Sequence, residues 1–401
     1  MRRRLDLRGV VAFGALASLF AFACSQTQDV GFTDPDPDGG PGGSADDGGP
    51  SVVCEGGLSA CGATCLDLTK DSANCGRCGR ACAGCDAGMC PTATLFSADG
   101  FGERLDRLLV DDDALYWTSN SCVSRANKDG SAASPIDCPS SPPDGHFVMD
   151  AAHLYWASST SKTSGSIFVA MKGESTSTTL LDLPSFRPFG LAIDAAAQTL
   201  FFGNLGAGQD PATNPSLLGY TSVTAPSAKT LGSAPVRFFG GIAVTPNAVL
   251  VTVSDSGSLM QLSRPDGTRK TLATGFINPI AVLVEGADAY VVDAGQDVGP
   301  EPGSIVRVPL AGGKAVPIAT GLASPAGIAI DAEYIYFTTL GTSVNGYNDG
   351  AVMRVSKSRG SVLPLAMNEP APGSIGVDGS FVYWADHGTQ NRPSAIVRTP
   401  R

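Results

Sequence analysis

"DDALYWTS", residues 112–119, is the stretch on which the reading of this 401-residue chain turns, because it recurs. The copies are LLVDDDALYWTS (108–119), FVMDAAHLYWAS (147–158), LAIDAAAQTLFFGN (191–204), IAVTPNAVLVTV (242–253), AVLVEGADAYVVDA (281–294), IAIDAEYIYFTT (328–339) and IGVDGSFVYWAD (375–386). Each is an apolar run, a polar residue, a short turn and an apolar-aromatic strand. The position of Trp117 is taken in turn by Trp156, Phe202, Val251, Val291, Phe337 and Trp384, so copies lie between 39 (Trp117 to Trp156) and 49 (Phe202 to Val251) residues apart. That period is the length of a four-stranded propeller blade. A third strand such as GSIVRVPLAGG (303–313) and a fourth such as VPIATG (316–321) follow the anchor, and no useful helical periodicity interrupts them. The expectation for residues 91–401 is therefore all-β, a seven-bladed β-propeller.

All 3 tryptophans occupy the anchor position, and five of the 8 tyrosines, Tyr116, Tyr155, Tyr290, Tyr336 and Tyr383, sit one residue earlier. A binding site would occur once, whereas a packing position recurs in every blade, so this aromatic pair is expected to fill the wedges between blades. The last repeat ends after its third strand, SAIVRTPR (394–401), one strand short. TATLF (92–96) can supply it, pairing with residues 395–399 so that an N-terminal strand closes the ring and removes two sheet edges.

The strings LYWTS, LYWAS, IYFTT and VYWAD resemble the YWTD-type propellers, and the looser repeat is similar to NHL and SMP-30-type propellers. The resemblance implies that an Asp two residues after the anchor, here Asp386 and Asp293, braces adjacent blades. Seven repeats are more than YWTD domains carry.

The N-terminal residues give the chain an address. Arg2, Arg3 and Arg4 precede an apolar run ending in small residues, the layout of a signal peptide over 1–23. The run is too short to cross a bilayer as a helix. AFAC (21–24) fits both ordinary cleavage and an imperfect lipobox. Of 11 cysteines, lipidation of Cys24 would leave an even number, which favours a lipoprotein. Residues 24–53 read as the lipidated Cys and a disordered acidic Gly/Pro/Asp linker; Asp34 to Gly39 begins like a calcium loop but lacks its closing Glu. Residues 54–90 hold Cys54, Cys61, Cys65, Cys75, Cys78, Cys82, Cys85 and Cys90 with almost no aliphatic content, so cross-links must replace a core. Zinc or iron-sulfur ligation is the alternative use of these thiols; an oxidising compartment favours disulfides, whose connectivity is not deducible. DSANCGRCGRAC (71–82) resembles Stig1-type cysteine-rich modules, which implies no chemistry. Cys122 and Cys138 face each other across a hairpin and are expected to pair. Linker and module are expected to be separable from the ring without affecting its stability.

The function read from this layout is that of a binding protein. Loops between second and third strands, among them GNLGAGQDPATNP (203–215), DAGQDVGPEPG (293–303), TTLGTSVNGYNDG (338–350) and ADHGTQNRPS (385–394), are long and varied, while the opposite turns are short. Asp297, Glu301, Asn345, Tyr347, Asp349 and His387 are the candidate ligand-binding residues on that end. The expected partner is a protein or a glycan. A net charge of -11 without a basic cluster speaks against nucleic acid, and membrane attachment is expected through the lipid alone. The chain is expected to be a monomer at the outer membrane, facing the periplasm or the cell surface. A metal-dependent SMP-30-like hydrolase or lactonase is the alternative. The inner-strand strings PFGLAI, FGGIAV, NPIAVL, SPAGIAI and PGSIGV offer almost no acids or histidines for it, and His146 and His153 stand apart from nucleophiles, so no catalytic residue, metal or cofactor is assigned.

Overall fold

Alternation of polar and apolar residues over six or seven positions, cut by Gly and Asp turns, produces strands here and almost nothing else. The computed structural model describes residues 52–401 apart from 99–102, 140–142, 145, 160, 162–163, 186, 205–215, 235–238, 265, 298–300 and 359. The signal peptide, Cys24, most of the linker and the calcium-like loop fall outside the described residues. Seven four-stranded antiparallel sheets follow one another as blades: blade 1, 105–137; blade 2, 147–183; blade 3, 188–234; blade 4, 239–274; blade 5, 279–322; blade 6, 325–369; blade 7, 372–400. In each, sequence order runs from the inner strand at the channel to the outer strand. Blade 7 takes its outer strand from Ala93–Ser97, which pairs with Ala395–Pro400 through Thr94 opposite Val397 and Ser97 opposite Ala395. Ring closure by an N-terminal strand is thus observed.

Second strands such as Ala114–Ser119 and Ala248–Val253 are buried along their whole length. Successive residues of a strand face opposite sides of the sheet, and this explains the Tyr-Trp pair. Tyr116 packs toward blade 2, in one cluster with Trp156, and Tyr336 packs toward blade 7, in one cluster with Trp384. Tyr383 likewise meets Trp117 across the closing seam. The residue before the anchor thus packs forward and the anchor backward, and the same holds where the pair is Phe201-Phe202 or Leu250-Val251, so each wedge is filled from both sides.

The short-turn end is built from one repeated device. The acid after the inner strand caps the turn: Asp378 accepts the Ser380 and Phe381 amides at 2.7 and 2.8 Å and the Tyr383 hydroxyl at 3.0 Å, and Asp150 and Asp331 take Tyr155 and Tyr336 in the same way. A cation directly after the third strand of the following blade then reaches the same acid. These pairs are Lys172 to Asp111, Arg264 to Asp194, Lys357 to Glu285, Arg401 to Asp331 and Lys128 to Asp378, at 2.5 to 2.8 Å. Partial burial works against charge on Asp378, but its hydrogen bonds to Lys128, the turn amides and Tyr383 hold the carboxyl below the usual range. Among the described residues, the seams between blades 2 and 3 and between blades 4 and 5 lack such a pair.

The cysteine-rich module carries disulfides Cys54–Cys65, Cys61–Cys78, Cys75–Cys85 and Cys82–Cys90; Cys122–Cys138 staples the outer strands of blade 1. The module is not separate from the ring, contrary to the expectation from sequence. Arg80, 2% exposed, donates to the Pro400 carbonyl at 2.8 and 3.2 Å, Arg77 donates to the Arg401 carbonyl at 3.4 Å, and the Arg77 guanidinium stands over the Tyr334 ring at 5.9 Å. The other side of this contact is the buried Arg354, 4.9 Å from the same ring. Long polar side chains thus dock the module on the short-turn end of blades 6 and 7. A sequence with almost no aliphatic residues gave no hint of a packed interface.

Candidate long-loop face and channel mouth

The sequence-predicted residues divide into two groups on the long-loop end. In blades 5 and 6, the exposed Asp297 accepts the Tyr347 hydroxyl at 3.0 Å, and this bond raises the Tyr347 pKa. Glu301, also exposed, is held by Gln296, side chain to side chain at 3.0 Å. Asp349 is engaged inside its own loop: it accepts the Thr342 amide and hydroxyl, both at 2.8 Å, and the Asn345 amide group at 2.6 Å. Partial burial opposes its charge, yet these bonds keep the carboxyl below its usual range. Asp349 and Asn345 are therefore loop-shaping residues, which fold 338–350 so that Tyr347, in left-handed backbone at φ 58°, and the exposed Val344 project. Thr389 of blade 7 donates to Asn348 at 2.9 Å and ties the two loops together.

His387 stands apart from these, at the junction of blades 7 and 1. Arg104 donates to its Nδ1 at 3.0 Å, Asp106 holds Arg104 at 3.0 Å, and the Asp106 backbone hydrogen-bonds to the ring. Burial, with Arg104 and Arg107 adding like charge, pushes the His387 pKa down to about 3, so the ring is neutral. Its place depends on Gly373, where a Cβ would lie 2.1 Å from His387 Nε2. His146, before the inner strand of blade 2, is likewise pushed to about 3 by burial and by Arg107.

What the sequence reading passed over is Arg107. Inner strands of six blades share a bulge near the long-loop end, between Leu105 and Leu108, Phe189 and Leu191, Phe239 and Ile242, Pro279 and Ala281, Pro325 and Ile328, and Pro372 and Ile375. A bulge re-aims side chains. Five bulges hold Gly190, Gly240 and Gly241, Ile280, Ala326 and Gly327, and Gly373 and Ser374; blade 1 alone holds charge, as Asp106 and Arg107. Thr118 accepts the Arg107 amide at 3.2 Å, and Arg107 is solvent-exposed although it belongs to an inner strand. The signal was present in LDRLLV (105–110), the one inner strand with an arginine.

Asp293 and Asp386, selected by the YWTD resemblance, both sit at seams. Asp293 accepts the Ile277 and Asn278 amides of the segment arriving from blade 4, at 3.0 and 2.7 Å. Asp386 accepts the Trp384 indole at 3.1 Å and faces Glu369 of blade 6; burial and the neighbouring carboxyl raise its pKa well above the usual range. The grouping of metal-ligand side chains among the described residues is Cys75, Cys82 and Cys90, all disulfide-bonded.

No family model matches the chain, and no curated protein matches it in sequence. Among solved structures it is similar to the extracellular domain described for a hybrid two-component system of B. thetaiotaomicron, at 11% identity and TM-score 0.55, over 76% of this chain and 39% of that one. A second structure, described as belonging to a one-component system of the same organism, gives 10% identity and TM-score 0.54 over the same shares. The chain thus spans well under half of those two proteins. A chain of a nidogen/laminin complex is similar at 18% identity and TM-score 0.46, over 59% of this chain and 85% of that one. At such identities the likeness shows the propeller fold alone.

Proposed function

We propose that this chain is an extracytoplasmic binding protein that contacts a protein or a glycan through the long-loop end of its propeller. In this reading residues 1–23 direct export, Cys24 carries lipid at the outer membrane, 24–53 tether the folded part, and the protein acts as a monomer without a cofactor. The observation that carries the reading is the contrast between the two ends of the ring. Polar groups at the short-turn end are engaged in the same acid, tyrosine and cation contacts in blade after blade, and the module covers part of it. At the long-loop end, exposed Asp297, Glu301 and Val344 do not repeat from blade to blade among the described residues. Variation on one end of a rigid ring is how such scaffolds carry specificity. Five disulfides support an oxidising, extracytoplasmic location.

The test compares two variants of the full chain in detergent on a glycan array and in crosslinking to surface-exposed proteins. One combines Asp297→Ala, Glu301→Ala and Val344→Asp; the other combines Asp129→Ala and Asp266→Ala in exposed short turns. The first should lower binding at least tenfold and the second should leave it unchanged. The opposite pattern would move the contact surface to the other end.

A further inference from the structure

The seam between blades 4 and 5 is built differently from the others at its short-turn end. In blades 2, 6 and 7 the tyrosine before the anchor reaches the turn and donates to its acid, at 2.7 to 3.0 Å. Strand register sets an arginine opposite that tyrosine in blades 1, 5, 6 and 7, as Arg125, Arg307, Arg354 and Arg398. Blade 4 and its neighbour lack all of these groups at once. Leu250 takes the tyrosine position with Gln261 opposite it, Thr245 replaces the acid, and Leu310 stands where most blades place a cation. A leucine side chain ends short of the point that a tyrosine hydroxyl reaches, and a cleft of about 470 Å³ is left between the two blades. Val244 and Leu250 line it from blade 4, Val284 and Leu310 from blade 5, and the exposed Asn247 and half-buried Gln261 add neutral amides. Among the described residues, none that lines the cleft carries a charge.

We propose that this cleft binds a small neutral phenol, a free aromatic molecule that takes the place filled in other blades by the protein's own tyrosine. Its volume falls within the roughly 300–1,000 Å³ of small-molecule sites. The four aliphatic side chains favour a ring over water. A carboxylate or an ammonium group would give up its hydration there without a charged partner, so the ligand is uncharged. The amides of Asn247 and Gln261 each offer both donors and an acceptor, which suits a hydroxyl that can do either. The site lies at the opposite end of the ring from the proposed contact surface and does not depend on it.

The full chain is titrated at neutral pH with p-cresol, which is the tyrosine side chain as a free molecule, with toluene, which lacks the hydroxyl, and with p-toluate, which carries a carboxylate instead; binding is followed by saturation-transfer NMR. p-Cresol should bind saturably at one site, several-fold tighter than toluene and about tenfold tighter than p-toluate. Leu250→Tyr supplies the missing ring from within and should abolish p-cresol binding. Leu310→Phe fills the same space from blade 5 and should do likewise, so it carries the result if thermal melts show Leu250→Tyr to be unfolded. Gln261→Leu keeps the bulk and removes the amide, and should bring p-cresol down to the level of toluene. Undiminished p-cresol binding in a folded cleft-filling variant, tighter binding of p-toluate, or no saturable binding of p-cresol to the wild type would each overturn the proposal. The triple change at Asp297, Glu301 and Val344 should leave p-cresol binding intact, so loss of macromolecular contact and loss of the phenol site are read separately.

Discussion

Replacing Asp378 with alanine should destabilise the ring more than any exposed acidic residue can. Four contacts converge on this carboxylate at the closing seam: the Ser380 and Phe381 amides at 2.7 and 2.8 Å, the Tyr383 hydroxyl at 3.0 Å and Lys128 at 2.8 Å. Tyr383 is buried, and a buried hydroxyl left without its acceptor costs about 1–3 kcal/mol. Loss of a side-chain cap on backbone amides costs about 1 kcal/mol. The ion pair is partly exposed, and its loss adds roughly 0.5 kcal/mol. Because these contacts share one group they do not add fully, and a total of about 2–4 kcal/mol is expected. Asp378→Asn keeps an acceptor for the turn and should cost less. The assay is the urea midpoint at constant m value, with Asp129→Ala as the exposed control. Tyr383→Phe and the double variant complete a cycle whose coupling should reach about 1 kcal/mol. If Asp378→Ala unfolds within about 0.5 kcal/mol of wild type, the level of an ordinary surface change, the repeated acid does not brace the seams.

Stability should depend on pH in two opposed ways. The turn acids Asp111, Asp194, Asp331 and Asp378 have lowered pKa values, so their contribution is complete above the ordinary carboxylate range and is lost as pH falls through the lowered values. Asp386 is raised by burial and by Glu369, so its contribution is present at low pH and is lost as pH rises through the raised value. Melts across pH 5 to 8 should therefore show Asp386→Asn gaining on wild type as pH rises; a constant difference refutes this. Arg80→Ala should release the module from blades 6 and 7, read as faster amide exchange at Arg401 and in 75–90, with the four disulfides intact; unchanged exchange would show that Arg80 does not hold the interface. Growth with a clickable palmitate should label the wild type and spare Cys24→Ser, and labelling of that variant would remove the lipid anchor.

Much of this was legible from local pattern. The Tyr-Trp pair revealed its role because alternation along a strand is a property of adjacent residues, and the truncated last repeat pointed to residues 92–96. The cysteine pairing was not legible, since Cys61 to Cys78 and Cys75 to Cys85 interleave and spacing alone cannot choose among such connections. Module docking depends on residues more than 300 positions apart, Arg80 and Pro400. At the candidate site, loop length found Asp297 and Tyr347. It also selected Asp349, whose hydrogen bonds turn inward, and it missed Arg107, which a bulge exposes from a strand that reads as core.

Two seams without a cation bridge divide the ring unequally. Blades 3 and 4 are joined to each other by Arg264 and Asp194, but neither the seam before them nor the one after them has such a tie among the described residues. At the second seam Thr245 replaces the acid and Leu310 stands where a cation follows the strand elsewhere, and a cleft opens there between Val244, Leu250 and Val284. Those two seams rest instead on apolar packing, with Tyr155 meeting Leu200 and Phe202 at the first and Leu250 meeting Ala289 and Val291 at the second. A propeller that looks evenly sevenfold therefore has two kinds of seam among the described residues, five whose ion pairs salt will weaken and two whose apolar packing salt will not.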